Sequence, residues 1–290
     1  MAGFYWLASY PKSGNTWFRV FLSNLNSDSS DPYSINQLTE GRIASQRELL
    51  DDVLGFDTAD LPADEIDELR PAVYRWLAIN GADTYYKIHD ACVIDGLNDP
   101  AYLSGTLYII RNPLDVAPSY AHHLGCSLDD AIRQMGDPDK AFCSGSRGLS
   151  RQVRQKLLSW SGHVLSWLDA TGAPMHVIRY EDMHDTPLET FAGAARFLGL
   201  PCDAASIKRA ISLSSFHELS AQEASSGFRE RQAPNGQFFR RGECGGWRDT
   251  LSVEQVRRIV TDHQDVMARF GYLQDALDWL SAQPQDGALR

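Results

Sequence analysis

The chain predicts an α/β fold, a central, mostly parallel sheet flanked by helices, and three observations lead there. Four short apolar segments, residues 4–9, 84–88, 106–110 and 175–179, each read as a buried strand. Each is followed by polar or helical sequence, and strands alternating with helices build a parallel sheet covered on both faces. Lys12, His89, Arg111 and Tyr180 each follow a strand end closely, where open sheets of this kind bind ligands.

The first strand, 4–9, runs at once into Tyr10-Pro11-Lys12-Ser13-Gly14-Asn15-Thr16-Trp17. Apolar residues Trp17, Val20, Phe21 and Leu25 then recur at helical spacing, so Ser13 to Thr16 lie where a helix exposes unpaired N–H groups and the positive end of its dipole. An anion docked there meets backbone donors, the Lys12 ammonium and the hydroxyls of Ser13 and Thr16. A nucleotide-triphosphate loop would need Gly-x-x-x-x-Gly-Lys-Ser/Thr, whereas Lys12 precedes the turn's only glycine. That departure argues against an ATPase or kinase.

Further helices are expected at 112–124, 150–170, 187–198, 204–213 and 253–270, with helical patches at 43–53 and 65–77. Segments 26–81, 125–147 and 220–246 are rich in Asp, Ser, Pro or Gly and are expected to be lids or substrate loops. Only the tail 283–290 looks frayed, and there is no internal repeat.

With 290 residues, 43% hydrophobic, the chain can bury a full core and is most simply a single domain, 1–290. A net charge of −11 makes nonspecific nucleic-acid or anionic-membrane binding unexpected, so any anion site is a local basic pocket in an acidic body. The amino terminus lacks a signal-peptide pattern, and nowhere do about 18 apolar residues run together. A soluble, cytoplasmic protein is expected. Five widely spaced cysteines without Cys-x-x-Cys read as reduced thiols without a metal.

Two further segments seek anions. In Arg111-Asn112-Pro113-Leu114-Asp115-Val116-Ala117-Pro118-Ser119, Arg111 and Ser119 can meet one phosphate; alternatively Arg111 pairs with Asp115 while Asn112 caps the helix. In Phe239-Arg240-Arg241-Gly242-Glu243-Cys244-Gly245-Gly246-Trp247, two arginines precede a Gly-rich turn, or form a plain basic loop. One ligand with two phosphate ends would use all three segments.

These motifs, in this order, resemble the cytosolic-type sulfotransferases that use 3′-phosphoadenosine 5′-phosphosulfate, in a bacterial-like version, and the resemblance covers most of the chain. It implies that Lys12, Ser13, Gly14, Asn15 and Thr16 hold the 5′-phosphosulfate. It assigns the 3′-phosphate to Arg111, Ser119, Arg240, Arg241 and Gly242. Trp17 and Phe216 would sandwich the adenine, with Tyr180 at its edge; without the motif they would read as core. Tyr85-Tyr86-Lys87-Ile88-His89 resembles the family's Lys-x-His, making His89 the general base and Lys87 a contact for the sulfuryl oxygens. His122 and His123 are reserve bases. Lys12 would be the main electrostatic catalyst of an in-line transfer to a hydroxyl of a small-molecule or carrier-bound acceptor, leaving adenosine 3′,5′-bisphosphate and needing no metal.

Two departures stand out. Gly246 replaces the Asp that commonly precedes the family's late tryptophan, and Arg257 replaces the terminal acid of the animal enzymes' dimer motif, so that dimer mode is not expected and the oligomeric state stays open. Readings from other classes are a magnesium-dependent nucleotide kinase or hydrolase, and a noncatalytic nucleotide-binding scaffold.

Overall fold

The computed structural model describes residues 3–38, 40–81, 84–144, 150–230, 236–240 and 242–284. β1 (Phe4–Ser9) turns tightly into α1 (Asn15–Asn26). The chain continues through β2 (Arg42–Ile43), α2 (Arg47–Leu54) and α3 (Ala63–Asn80) to β3 (Tyr85–Ile88) and β4 (Leu103–Ile110). α4 (Pro113–Leu124), α5 (Leu128–Met135), β5 (Ala141–Phe142), β6 (Gln155–Lys156) and α6 (Trp160–Leu168) lead to β7 (Met175–Arg179). Then come α7 (Tyr180–Asp185), α8 (Pro187–Phe197), α9 (Ala204–Leu213), α10 (Phe216–Ser226), α11 (Val253–Arg269) and α12 (Leu273–Ser281).

The main sheet has the order β2-β3-β1-β4-β7 and every pairing in it is parallel. Successive side chains of a strand point to opposite faces. Accordingly Phe4, Trp6 and Ala8 of β1 enter one core with Tyr108 and Ile110 of β4, while Leu7 enters the other with Leu107 and Ile109. The second core is closed by Phe18 and Phe21 of α1 and Phe191 of α8. Both faces being covered is why the strands read as apolar runs rather than as alternating patterns.

The four strands read from sequence are all present, with β4 beginning at Leu103. β2 has two residues and no apolar run; it is defined only by pairing Arg42 with Tyr86 and Ile43 with Lys87. The helix expected at 150–170 is shorter. Ser159 accepts a hydrogen bond from the Gly162 amide and caps α6, and the stretch before it is extended: Gln155 and Lys156 pair with Phe142 and Ala141, and Val153 donates to the Ser45 carbonyl. The segment 125–147 is likewise not all loop, because Ser127 caps α5. Segment 26–81 holds α2 and α3, and the first part of 220–246 belongs to α10.

A buried ion pair fixes the end of β3. Arg70 grips Asp90 with both terminal nitrogens, at 2.9 and 2.6 Å, and both side chains are fully buried. Asp90 also accepts from the Lys156 amide, and its carbonyl accepts from the Trp167 indole. Removing one partner leaves a desolvated charge, so Arg70→Ala is expected to cost about 3–5 kcal/mol of stability, read from denaturant midpoints. A loss below about 1 kcal/mol, the worth of an exposed pair, would show that the bridge is not what holds this corner.

Candidate functional site

The turn after β1 is shaped by two residues with left-handed backbone, Lys12 (φ 71°) and Gly14 (φ 100°). A Cβ at Gly14 would stand 2.5 Å from Cδ2 of Tyr180, so this glycine serves both the backbone angle and the close packing of α7. Gly14→Ala should therefore open the turn and weaken anion binding at least tenfold by titration, even where the fold survives. Unchanged binding would count against the turn as the anion cradle. Asn15 holds the turn to the sheet: its Nδ2 donates to the Leu7 carbonyl (2.9 Å) and Ser9 Oγ (3.3 Å).

Lys12, Gly14, Asn15, Thr16, Trp17, Lys87, His89, Arg111, Ser119, Tyr180, Phe216, Arg240 and Gly242, all expected site residues, line one cavity of about 630 Å³. Ser13 is fully buried in the turn, and its Oγ has no hydrogen-bond partner among the described residues. Arg241 lies outside the described residues. Residues separated by more than 200 positions thus meet at the carboxyl ends of β1, β3, β4 and β7.

The electrostatics favour an anion. Burial, followed by the neighbouring charges of Lys87 and Arg111, lowers the Lys12 ammonium to about 7. Its Nζ sits 3.9 Å over the Phe238 ring, and it makes no salt bridge among the described residues. Arg111 stacks over Tyr180 at 4.1 Å and donates to the carbonyls of Lys12 and Glu243, each at 3.1 Å, tying the first turn to the late loop. Its buried Nε has no partner among the described residues. A partly neutralised lysine, an orphan buried hydroxyl and an orphan guanidinium nitrogen are a donor set suited to phosphate oxygens.

The alternative pairing of Arg111 with Asp115 does not form. Asp115 instead accepts from the amides of Gly245 (2.7 Å) and Trp247 (3.1 Å) and so shapes the Gly-rich loop, while Asn112 does cap α4 through Leu114 N. Gly242 packs so closely on Phe216 that a Cβ there would come within 2.1 Å of the ring.

His89 stands at the end of β3 with Nδ1 2.8 Å from the Ser9 carbonyl. A carbonyl can only accept, so Nδ1 carries the proton and Nε2 presents a lone pair with no partner among the described residues. Burial, reinforced by Lys87, pushes the imidazolium well below its usual range, so the ring is neutral at physiological pH. Behind it, His163 donates through Nε2 to the His89 carbonyl (3.1 Å) and accepts at Nδ1 from the Tyr108 hydroxyl (2.8 Å). Of the reserve bases, His123 lines the cavity, and burial lowers it to about 3; His122 bonds the Gln237 carbonyl at 3.1 Å.

Three contributors escaped the sequence reading. Glu230 is paired with Arg19 (2.7 Å) and Lys87 (3.2 Å); burial opposes its charge, but Lys87 and Arg19 outweigh that and hold the carboxyl down to about 2. His184 packs on Trp17 (4.7 Å) and Tyr180 (4.9 Å) at the cavity wall. His163 is fully buried behind His89. None had a motif; only the one-turn spacing of Tyr180 and His184 hinted at a shared face.

No helix among the described residues is long and apolar enough to cross a membrane, and none of their His, Cys, Asp and Glu side chains gather in threes to hold a metal ion. The structure superposes on mouse sulfotransferase SULT7A1 complexed with PAP, at a TM-score of 0.64 and 16% identity, covering 98% of this chain and 90% of that one. It also matches retinol dehydratase in complex with androsterone and the inactive cofactor PAP, at 0.59 and 19%, covering 99% and 82%. In sequence the chain is 25% identical over 270 residues to flavonol 3-sulfotransferase of Flaveria bidentis, spanning 87% of this chain and 78% of that protein. Cytosolic sulfotransferase 1 of Arabidopsis thaliana is 26% identical over 274 residues, spanning 87% and 75%. Residues 105–271, more than half of the chain, match the sulfotransferase domain model. With the fold, the anion cradle and that match together, the chain belongs to the sulfotransferase domain family, enzymes that move a sulfuryl group from 3′-phosphoadenosine 5′-phosphosulfate.

Proposed function

We propose that this chain sulfates the hydroxyl of a small-molecule acceptor in the cytoplasm, with His89 as the general base. The observation that carries the reading is the locked tautomer of His89, whose free Nε2 faces the same cavity as the desolvated Lys12. The relatives named above include an enzyme for a flavonol, and one structural neighbour holds androsterone; both are small molecules bearing hydroxyls.

When bound, the donor supplies a sulfuryl group on a good leaving group, the 5′-phosphate. Lys12, the orphan Ser13 hydroxyl, Thr16 and the amides from Gly14 onward hold that phosphate and meet the charge that grows on it. Arg111, Ser119, Arg240, Arg241 and Gly242 hold the 3′-phosphate. Trp17, Tyr180 and Phe216 hold the adenine, with His184 as a fourth contact. Lys87 turns to the sulfuryl oxygens, and His89 Nε2 takes the acceptor proton.

Calorimetric titration with adenosine 3′,5′-bisphosphate, against AMP and against ATP with magnesium, tests the donor site. Selective binding of the bisphosphate is expected; a preference for ATP would overturn the assignment. In Arg111→Ala the bisphosphate should lose about tenfold to a hundredfold in affinity, the worth of a charged hydrogen bond, with AMP little changed. Equal loss for both nucleotides would refute the 3′-phosphate role of Arg111.

A further inference from the structure

One rim of the cavity is basic in a way that the donor and the transfer do not use. Arg42, Arg151 and Arg229 all line the cavity, on three separate segments. Two of those segments are joined through the backbone: Arg47 N donates to the Arg151 carbonyl (3.0 Å) and Val153 N to the Ser45 carbonyl (2.8 Å). Arg229 N donates to Asn36 Oδ1, and Asn36 Nδ2 donates to the Gly227 carbonyl, each at 2.9 Å. β2 carries Arg42 beside β3, with Ile43 opposite Lys87, so this rim borders the strand that ends in His89.

None of these three guanidinium groups makes a hydrogen bond or ion pair among the described residues. Elsewhere in this acidic chain Arg75, Arg133, Arg154, Arg179, Arg248 and Arg258 each hold a carboxylate. The carboxylate nearest in sequence that shares the cavity, Glu230, is already shared between Arg19 and Lys87. Lining the same cavity, Gln155 is buried, gives its Nε2 to Gln152 Oε1 (2.7 Å), and leaves Oε1 without a partner among the described residues. A buried amide with one unmet hydrogen bond, in the same cavity as three arginines without a partner among the described residues, suits a ligand that is polar in one part and anionic in another.

We propose that the acceptor is a hydroxylated molecule carrying an anionic group, a carboxylate or a phosphate, remote from the hydroxyl that reacts. Arg42, Arg151 and Arg229 receive the anion at the cavity mouth, and Gln155 bonds the uncharged part between. The proposal rests on the sulfotransferase reading of the cavity and adds the class of acceptor to it.

The test uses the intact chain loaded with adenosine 3′,5′-bisphosphate and a series of ω-(4-hydroxyphenyl)alkanoates with two to eight methylenes. Each acid is titrated beside its phosphonate analogue and its methyl ester, on the wild type and on a triple variant, Arg42→Ala, Arg151→Ala and Arg229→Ala. At one chain length or more, an acid or phosphonate should bind about tenfold more tightly than the ester, a modest gain because the arginines are exposed and screened. The difference should vanish in the triple variant and shrink at high salt. Preference for the acid over the phosphonate, or the reverse, identifies the anion. Acid and ester bound alike, no member bound, or an advantage that survives the triple variant would overturn the acceptor class. Failure of the bisphosphate itself to bind would instead overturn the donor reading on which the proposal stands.

Discussion

Replacing His89 with Asn should lower kcat by a factor of about 10²–10⁴, the usual worth of a general base, while the affinity for adenosine 3′,5′-bisphosphate stays nearly unchanged. Asn is the informative substitution because its amide can still donate to the Ser9 carbonyl, as Nδ1 does at 2.8 Å, so the β3 end keeps its anchor but loses the basic lone pair. The pH profile adds a second readout. Burial and Lys87 hold the imidazolium well below 6.5, so the wild-type base is ready across the physiological range. The acid limb of kcat should therefore fall below pH 6.5 and be absent from the residual activity of His89→Asn. A folded variant that has lost nucleotide binding, or one that keeps its turnover, would sink the base assignment.

Donor-site binding should take up a proton through Lys12. In the free protein burial and the nearby cations lower Lys12 to about 7, so above that pH its neutral form predominates. A phosphate docked against it favours the ammonium and raises its pKa. The sign follows: affinity is greatest below about pH 7 and falls as the pH rises through the free-state value. At pH 8, calorimetry of the bisphosphate in buffers of different ionisation enthalpy should show uptake of roughly one proton. In Lys12→Met that proton should disappear, and turnover should drop by about 10²–10³, as when one preorganised donor to a developing anion is removed. Proton uptake unchanged by Lys12→Met would move the effect to Lys87, the other buried lysine of the cavity, and would remove Lys12 from the phosphate.

How far these roles were legible varied with distance along the chain. The strand–turn–helix from Phe4 to Asn26, the glycine and lysine of its turn, and Arg111 before the capping Asn112 are local patterns, each within about two turns of backbone, and the structure has them where the pattern put them. His89 was singled out by its motif, but its tautomer was not, because that depends on a carbonyl 80 residues away. Asp115 was read as a partner for Arg111 four residues before it, yet its lone pairs go to amides 130 and 132 residues later. The expected helix at 150–170 failed for the same kind of reason. Its first half has acceptable helical residues, but pairing with Phe142 and Ser45 outweighs a weak propensity.

From residue order alone came the α/β class, the buried strands and the three anion-seeking segments, because periodicity, caps and glycine positions act over a few neighbouring residues. Folding alone decided that those segments share one cavity. It decided too that Arg70 locks Asp90 behind the base and that Glu230 joins Arg19 across 211 residues and Lys87 across 143. It left three arginines of the cavity lining without a partner among the described residues. Charges and buried hydrogen-bonding groups choose partners by proximity in space, and no period in the chain records which distant group will arrive to satisfy them.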